Sequence, residues 1–235
     1  MLALPFQTSL AAAANKNLQP AATAVPEEKT ASETLQSILT EMDNAAANFK
    51  SAQADLQWDQ YSMAANETDT QTGQIYFRKK KNETEMAAHF DKPKKIVVYV
   101  NGTLRLYEAN LDQITEYAVG KDREEIESFL SIGFGGKGHD LLNSFQVSYD
   151  GSETIDNVKT EKLVLIPKTP KVKKLFDKIV LWIDPKRSVS LKQQFFEPSG
   201  DHRFAYYRNI GYGVKIPEDR FKLPSTAHTK VVHPE

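Results

Sequence analysis

From Ala52 onward the apolar residues of this chain recur with a period of two, and that period persists over most of its length. Ala52, Ala54, Leu56 and Trp58 alternate with Gln53, Asp55, Gln57 and Asp59. Gly73, Ile75 and Phe77 alternate with Gln74, Tyr76 and Arg78; Thr84, Met86, Ala88 and Phe90 alternate with Glu83, Glu85 and His89. Successive side chains of a strand leave on opposite faces, so the pattern describes strands with one apolar and one wet face, as in an antiparallel sheet. Residues 96–100 form a β-branched run, and Asn101-Gly102 behind it is a two-residue hairpin signal. Leu104 and Leu106 continue the return strand, and 114–119 fits another. Further strands are expected over 145–149, 159–166, 176–183, 188–196 and 202–210, punctuated by Asp150-Gly151, Pro167, Asp184-Pro185 and Pro198-Ser199-Gly200. The spacing predicts one sheet of about ten strands. A sheet that large curls, so a barrel or half-barrel is the natural closure.

Ahead of the strands lies one amphipathic helix. Thr30-Ala31-Ser32-Glu33 fits the capping-box pattern, in which the threonine hydroxyl accepts from the Glu33 amide and the carboxylate reaches back. Leu35, Ile38, Leu39, Met42, Ala45, Ala46 and Phe49 follow at helical spacing, giving a helix over 33–50 with one apolar face. A lone amphipathic helix before an all-strand region has to cover something apolar. Residues 122–132 break the two-residue period again, with Ile126, Phe129 and Leu130 on a short helical face. The glycine-rich stretch 133–138 reads as a mobile connector, and 140–143 as another turn of helix.

Both ends differ from the body. Residues 1–29 are rich in Ala and Pro and lack periodicity; they read either as the remnant of a signal peptide or as a disordered tail. The folded domain is expected over 30–224, closed by Pro217, Phe221 and Pro224, with 225–235 as a loose tail. No apolar run reaches the ~18 residues of a spanning helix.

Charge and residue chemistry exclude several functions. Thirty basic and 31 acidic residues leave a net charge of −1, so no whole-chain field draws in nucleic acid. There is no cysteine, hence no disulfide framework, no thiolate metal site, no cysteine nucleophile and no residue to carry an acyl anchor. His89, His139, His202, His228 and His233 form no metal-ligand spacing. Gly135-Gly136-Lys137-Gly138 lacks the spacing of a phosphate loop, and no nucleophile elbow occurs. We therefore expect no enzyme activity, no metal and no cofactor.

Four motifs carry a family resemblance. They are G-x-I-x-F-[RK]-[KR] at 73–79, V-x-V-N-G-x-L-x-x-Y at 98–107, L-W-I-D-P at 181–185 and N-I-x-x-x-V-x-I-P-x-x-x-F-x-x-P at 209–224. In this order, behind a capped helix, they resemble the periplasmic outer-membrane lipoprotein carrier (LolA-like) family over 30–224. The resemblance implies a mainly β fold: a strongly curved antiparallel sheet forming a half-open barrel, with lid helices over its concave face. It implies a soluble periplasmic carrier that takes the acyl chains of lipoproteins, or a related lipid, toward the outer membrane. The alternative within the same fold is a periplasmic sensor or interaction domain whose groove is a regulatory pocket. Implied partners are lipid or lipoprotein acyl chains, an inner-membrane loading complex and an outer-membrane acceptor; we expect a monomer.

On this reading the groove is lined by the apolar members of the alternating strands: Leu56, Trp58, Ile75, Phe77, Met86, Val98, Leu104 and Leu106. The lid comprises 33–50 and 122–132, with Leu35, Ile38, Leu39, Met42, Ile126 and Phe129 facing the sheet. Two departures mark a distant member. Where the family has an Arg-Pro pair whose arginine ties sheet to lid, this chain has Lys79 and Lys80, and a lysine lacks the planar fork of arginine. Ala88-His89-Phe90 stands where the family's next strand ends differently. Lys79 shares the alternation of Ile75 and Phe77, which places it on the groove side and Lys80 on the other.

Overall fold

The structure, a computed structural model, describes residues 30–80, 83–118 and 131–234. The expected N-terminal segment 1–29 and most of the expected second lid helix, Ile126 and Phe129 included, lie outside the described residues. Helix α1 (Ala31–Asn48) begins with the expected capping box: the Thr30 amide donates to Glu33 Oε2 at 2.9 Å, and the Glu33 amide donates to Thr30 Oγ1 at 3.3 Å. It ends at Phe49, whose extended backbone passes directly into the sheet.

Among the described residues the sheet has 12 strands. They are β1 (Ser51–Ser62), β2 (Glu67–Lys80), β3 (Glu83–Phe90), β4 (Lys95–Val100), β5 (Thr103–Glu108), β6 (Gln113–Ala118), β7 (Phe145–Ile155), β8 (Val158–Pro167), β9 (Lys178–Asp184), β10 (Val189–Phe196), β11 (His202–Tyr212) and β12 (Lys230–Val232). Short helices α2 (Leu141–Ser144) and α3 (Pro170–Lys173) and a 3₁₀ turn (Glu218–Phe221) complete the described elements. The spatial order is β12-β6-β5-β4-β3-β2-β1-β11-β10-β9-β8-β7. Two antiparallel meanders thus meet at a central seam where β1 pairs with β11, Leu56 opposite Tyr207. The edges β12 and β7 remain apart, so the fold is mainly β and half-open, not a closed barrel.

Local rules account for much of this. Asn101 and Gly102 take the positive φ values, 52° and 71°, that a tight two-residue hairpin needs. Gly73 pairs with Leu56 on one side and Phe90 on the other, and a Cβ there would fall 1.9 Å from the His89 carbonyl oxygen. Only glycine admits so close an approach of neighbouring strands.

The concave face carries two apolar clusters. One joins Phe49, Ala52, Ala54, Leu56, Ile75, Phe77, Met86 and neighbours across β1–β4, β10 and β11. In the other, Ile38, Leu39 and Met42 of α1 pack on the inward residues of β7–β10, among them Phe145, Leu163, Leu165, Ile179 and Leu181. Helix α1 therefore covers one half of the concavity and leaves the other half to different cover.

Four expectations need correction. Half of the sheet is apolar on both faces: Tyr76, Ala87, Ile96, Val98, Tyr107 and Ile114 form a third cluster on the convex side, roofed by Ile216 and Phe221 of the C-terminal segment. Val98 belongs to this roofed face and not to the groove, because it pairs with Arg105, while Val97 and Tyr99 pair with Leu106 and Leu104. The segment after 224 is not loose throughout: Thr226 and Thr229 hydrogen-bond to Asp112, and β12 adds a parallel strand to β6. The glycine-rich segment is no mobile connector, as its contacts below show.

Candidate functional site

A cavity of about 430 Å³ opens on the concave side, over the half of the sheet that α1 leaves free. That size lies within the roughly 300–1,000 Å³ range of ligand pockets. Its lining is mainly apolar. Leu56, Trp58, Ile75, Phe77, Met86 and Leu106 contribute to it. Leu104 packs beside the same cluster without lining the cavity, and Val98 lies behind the sheet. The lining also includes Ala88, Phe90 and Val97, and, across the seam, Phe195 and Tyr207. Ala88 and Phe90 continue the alternation that carries Met86, so that signal was present; the residues across the seam required the β1–β11 pairing.

The roof of the cavity had no sequence signal. Ile132 and Phe134 come from the start of the glycine-rich segment, and the Phe134 ring stacks on Phe77 at 4.1 Å between centroids and meets Tyr207 nearly perpendicular at 4.7 Å. Backbone bonds fix the segment on β10: the Ser190 amide donates to the Gly133 carbonyl at 2.6 Å, and the Gly135 amide to the Ser188 carbonyl at 2.9 Å. Gln193 Nε2 donates to the Ile132 carbonyl at 2.7 Å, and the buried Tyr207 hydroxyl donates to Gln193 Oε1 at 2.9 Å. Burial raises the Tyr207 pKa, so this hydroxyl stays neutral. Gly135 sits at φ +74°, and a Cβ there would meet the Phe49 ring at 2.3 Å. The glycines let this segment fit between helix and sheet.

The expected lid residues divide in the same way. Leu35, Ile38, Leu39 and Met42 pack in the α1 cluster rather than over the cavity. Lys79 Nζ donates to the Ala46 carbonyl at 3.2 Å, placing a cation at the C-terminal turn of α1, which has no basic residue of its own. Lys80 leaves on the convex side, 3.8 Å from Glu218. His139 adds a second tie to α1: its amide donates to Asp43 Oδ1 at 3.1 Å, and its Nδ1 lies 2.7 Å from Asp43 Oδ2.

Polar side chains mark the cavity's margins. Arg203 lies over the Trp58 and Phe176 rings and pairs with Glu197. Lys95 stands over the Phe90 ring, Nζ 4.5 Å from its centroid, with Glu108 opposite it on β5. Burial pushes the Lys95 ammonium below the usual lysine range, against the opposing fields of Asp69 and Glu108. Among the described residues no group of three or more His, Asp or Glu side chains could hold a metal. No helix among them is long and apolar enough to cross a membrane.

No protein-family model matches the chain. One curated relative, an uncharacterized protein of Methanocaldococcus jannaschii, is 27% identical over 143 residues, which is 57% of this chain and 39% of that protein. The chain thus spans well under half of that relative's length. Among solved structures, an uncharacterized conserved protein from Thermus thermophilus shares the fold at a TM-score of 0.54 and 13% identity, over 86% of this chain and 99% of that one. MucB shares it at a TM-score of 0.53 and 14% identity, over 85% of this chain and 65% of that one. A LolA superfamily protein from Nitrosomonas europaea is a looser likeness, with a TM-score of 0.39 and 15% identity over 83% of this chain and 99% of that one.

Proposed function

We propose that this protein is a carrier that binds the acyl chains of a lipoprotein or related lipid in the concave groove and shields them from water. The observation that carries the reading is the open cavity on the concave face, walled by Leu56, Trp58, Ile75, Phe77, Met86 and Phe90. A chain held there gains about 0.8 kcal/mol per buried methylene, so even partial insertion gives useful affinity. The motif resemblance supports the same reading and supplies its setting: a monomer in the periplasm, loaded at the inner membrane and unloaded toward the outer membrane. Fluorescent fatty-acyl probes should bind, and Phe77→Glu, which sets a charge on the cavity wall, should weaken binding at least tenfold. Equal binding by wild type and variant would remove the groove from this face. A sensor or interaction domain that uses the groove as a regulatory pocket is the second reading, favoured by the fold shared with MucB; it predicts a protein partner.

A further inference from the structure

The carrier reading leaves the head group of the cargo open, and the cavity's charges bear on it. The lining contains two cations, Lys95 and Arg203, and one carboxylate, Glu108. Arg203 is already satisfied by Glu197. Among the described residues Lys95 has no such partner: Asp69 and Glu108 act on it only through space, and the ammonium rests on the Phe90 ring. Its neighbours in the lining include Phe90, Val97 and Leu106, all apolar. A half-buried ammonium without a hydrogen-bonded counter-ion is costly, and that cost falls when a ligand supplies the anion.

Position makes the same point. Lys95 is the first residue of β4 and Glu108 the last of β5, so the charge sits where the strands end. Phe90, Ala88 and Met86 lead inward from it along β3 on the same face. The arrangement has the polarity of an amphiphile: a charged seat at the rim, an apolar track behind it.

We propose that the groove's ligand is a lipid with an anionic head, a carboxylate or a phosphate ester, seated at Lys95 with its chain along Phe90, Met86 and Phe77. This rests on the carrier reading and narrows it. The acylated terminus of a lipoprotein offers no anion at the acyl junction, so the inference selects the related lipid over the lipoprotein as cargo.

The test uses dodecanoate, dodecyl phosphate and dodecanol as competitors of a fluorescent acyl probe on the full chain. Wild type should bind at least one of the two anions about tenfold more tightly than the alcohol. Lys95→Met should remove that difference, and Lys95→Arg should keep it. Comparison of the carboxylate with the phosphate names the head group. Equal affinity for dodecanol and both anions in wild type, or a preference that survives in Lys95→Met, overturns the inference and leaves the carrier reading intact. Failure of the acyl probe itself to bind overturns both, and a bound probe that none of the three amphiphiles displaces overturns the inference alone.

Discussion

Phe134 lies flat on Phe77, their ring planes 9° apart and their centroids 4.1 Å apart. The pair joins a residue of the glycine-rich segment to the middle of the concave sheet, so this contact sets the depth of the groove. Phe134→Ala should deepen it. We expect a loss of about 3–5 kcal/mol in stability, by the usual cost of removing a buried aromatic ring. We also expect tighter binding of longer acyl chains, read from denaturant midpoints and from the chain-length dependence of probe affinity. Unchanged chain-length dependence would mean that the ring is wall and not plug.

Gly135 tests the same segment through its backbone. At φ +74°, with the Phe49 ring 2.3 Å from any added Cβ, Gly135→Ala meets both strain and overlap. The expected loss is about 2 kcal/mol or more, seen as a drop in Tm. A neutral substitution would return the segment to the status of a flexible connector.

Lys79 holds α1 by a single bond to the Ala46 carbonyl. Lys79→Met should release about 1 kcal/mol of local stability and speed hydrogen exchange in the last turns of α1. Lys79→Arg, with more donors in a planar fork, should slow release of a bound acyl probe. Lys80→Arg, on the convex side, should leave the off-rate where it is. If α1 amides are as protected as the central strands in wild type and Lys79→Met alike, α1 is permanent core and not a lid.

Acid should loosen one hairpin first. Burial by itself would raise the Glu161 pKa, but hydrogen bonds from Ser152, Lys159 and Tyr149 outweigh it and hold the carboxyl below the usual range. A carboxyl depressed on folding adds stability above its unfolded pKa, ~4.3, and loses it as pH falls through the lower folded value. Exchange in β7 and β8 should therefore rise as the pH falls below about 4, and Glu161→Gln should flatten that dependence. An equal acid response in the variant would place the titrating group elsewhere.

How much of this the sequence could tell depended on whether a strand has one wet face. In β1 and β2, Gln53, Asp55, Gln57 and Gln74 label the solvent side, so Leu56, Trp58, Ile75 and Phe77 could be assigned to the groove. In β4 the run Ile96-Val97-Val98 has no polar member, because the C-terminal segment roofs its convex side; parity there is unreadable from the residues, and Val98 lies on the face opposite to the expected one. Phe134 lies among glycines that signal a turn, and its position is set by partners more than 50 residues away, such as Gln193 and Ser188. Capping, by contrast, needs only four consecutive residues, and the start of α1 was legible from Thr30 and Glu33.

The seam between β1 and β11 also has a kinetic meaning. Apart from β12 on β6, the strands on either side of it pair with sequence neighbours, but bonds such as Asn209 Nδ2 to Asp55 and Arg208 to Gln57 span 154 and 151 residues. Each meander can assemble by short hairpin closures, whereas their union has to close a loop comprising most of the molecule. Assembly is then expected to end at the seam. Trimming Tyr207 to Phe or Leu56 to Val should mainly hasten unfolding and leave the refolding rate nearly unchanged. Slowed refolding would instead put this central pairing at the start of the pathway.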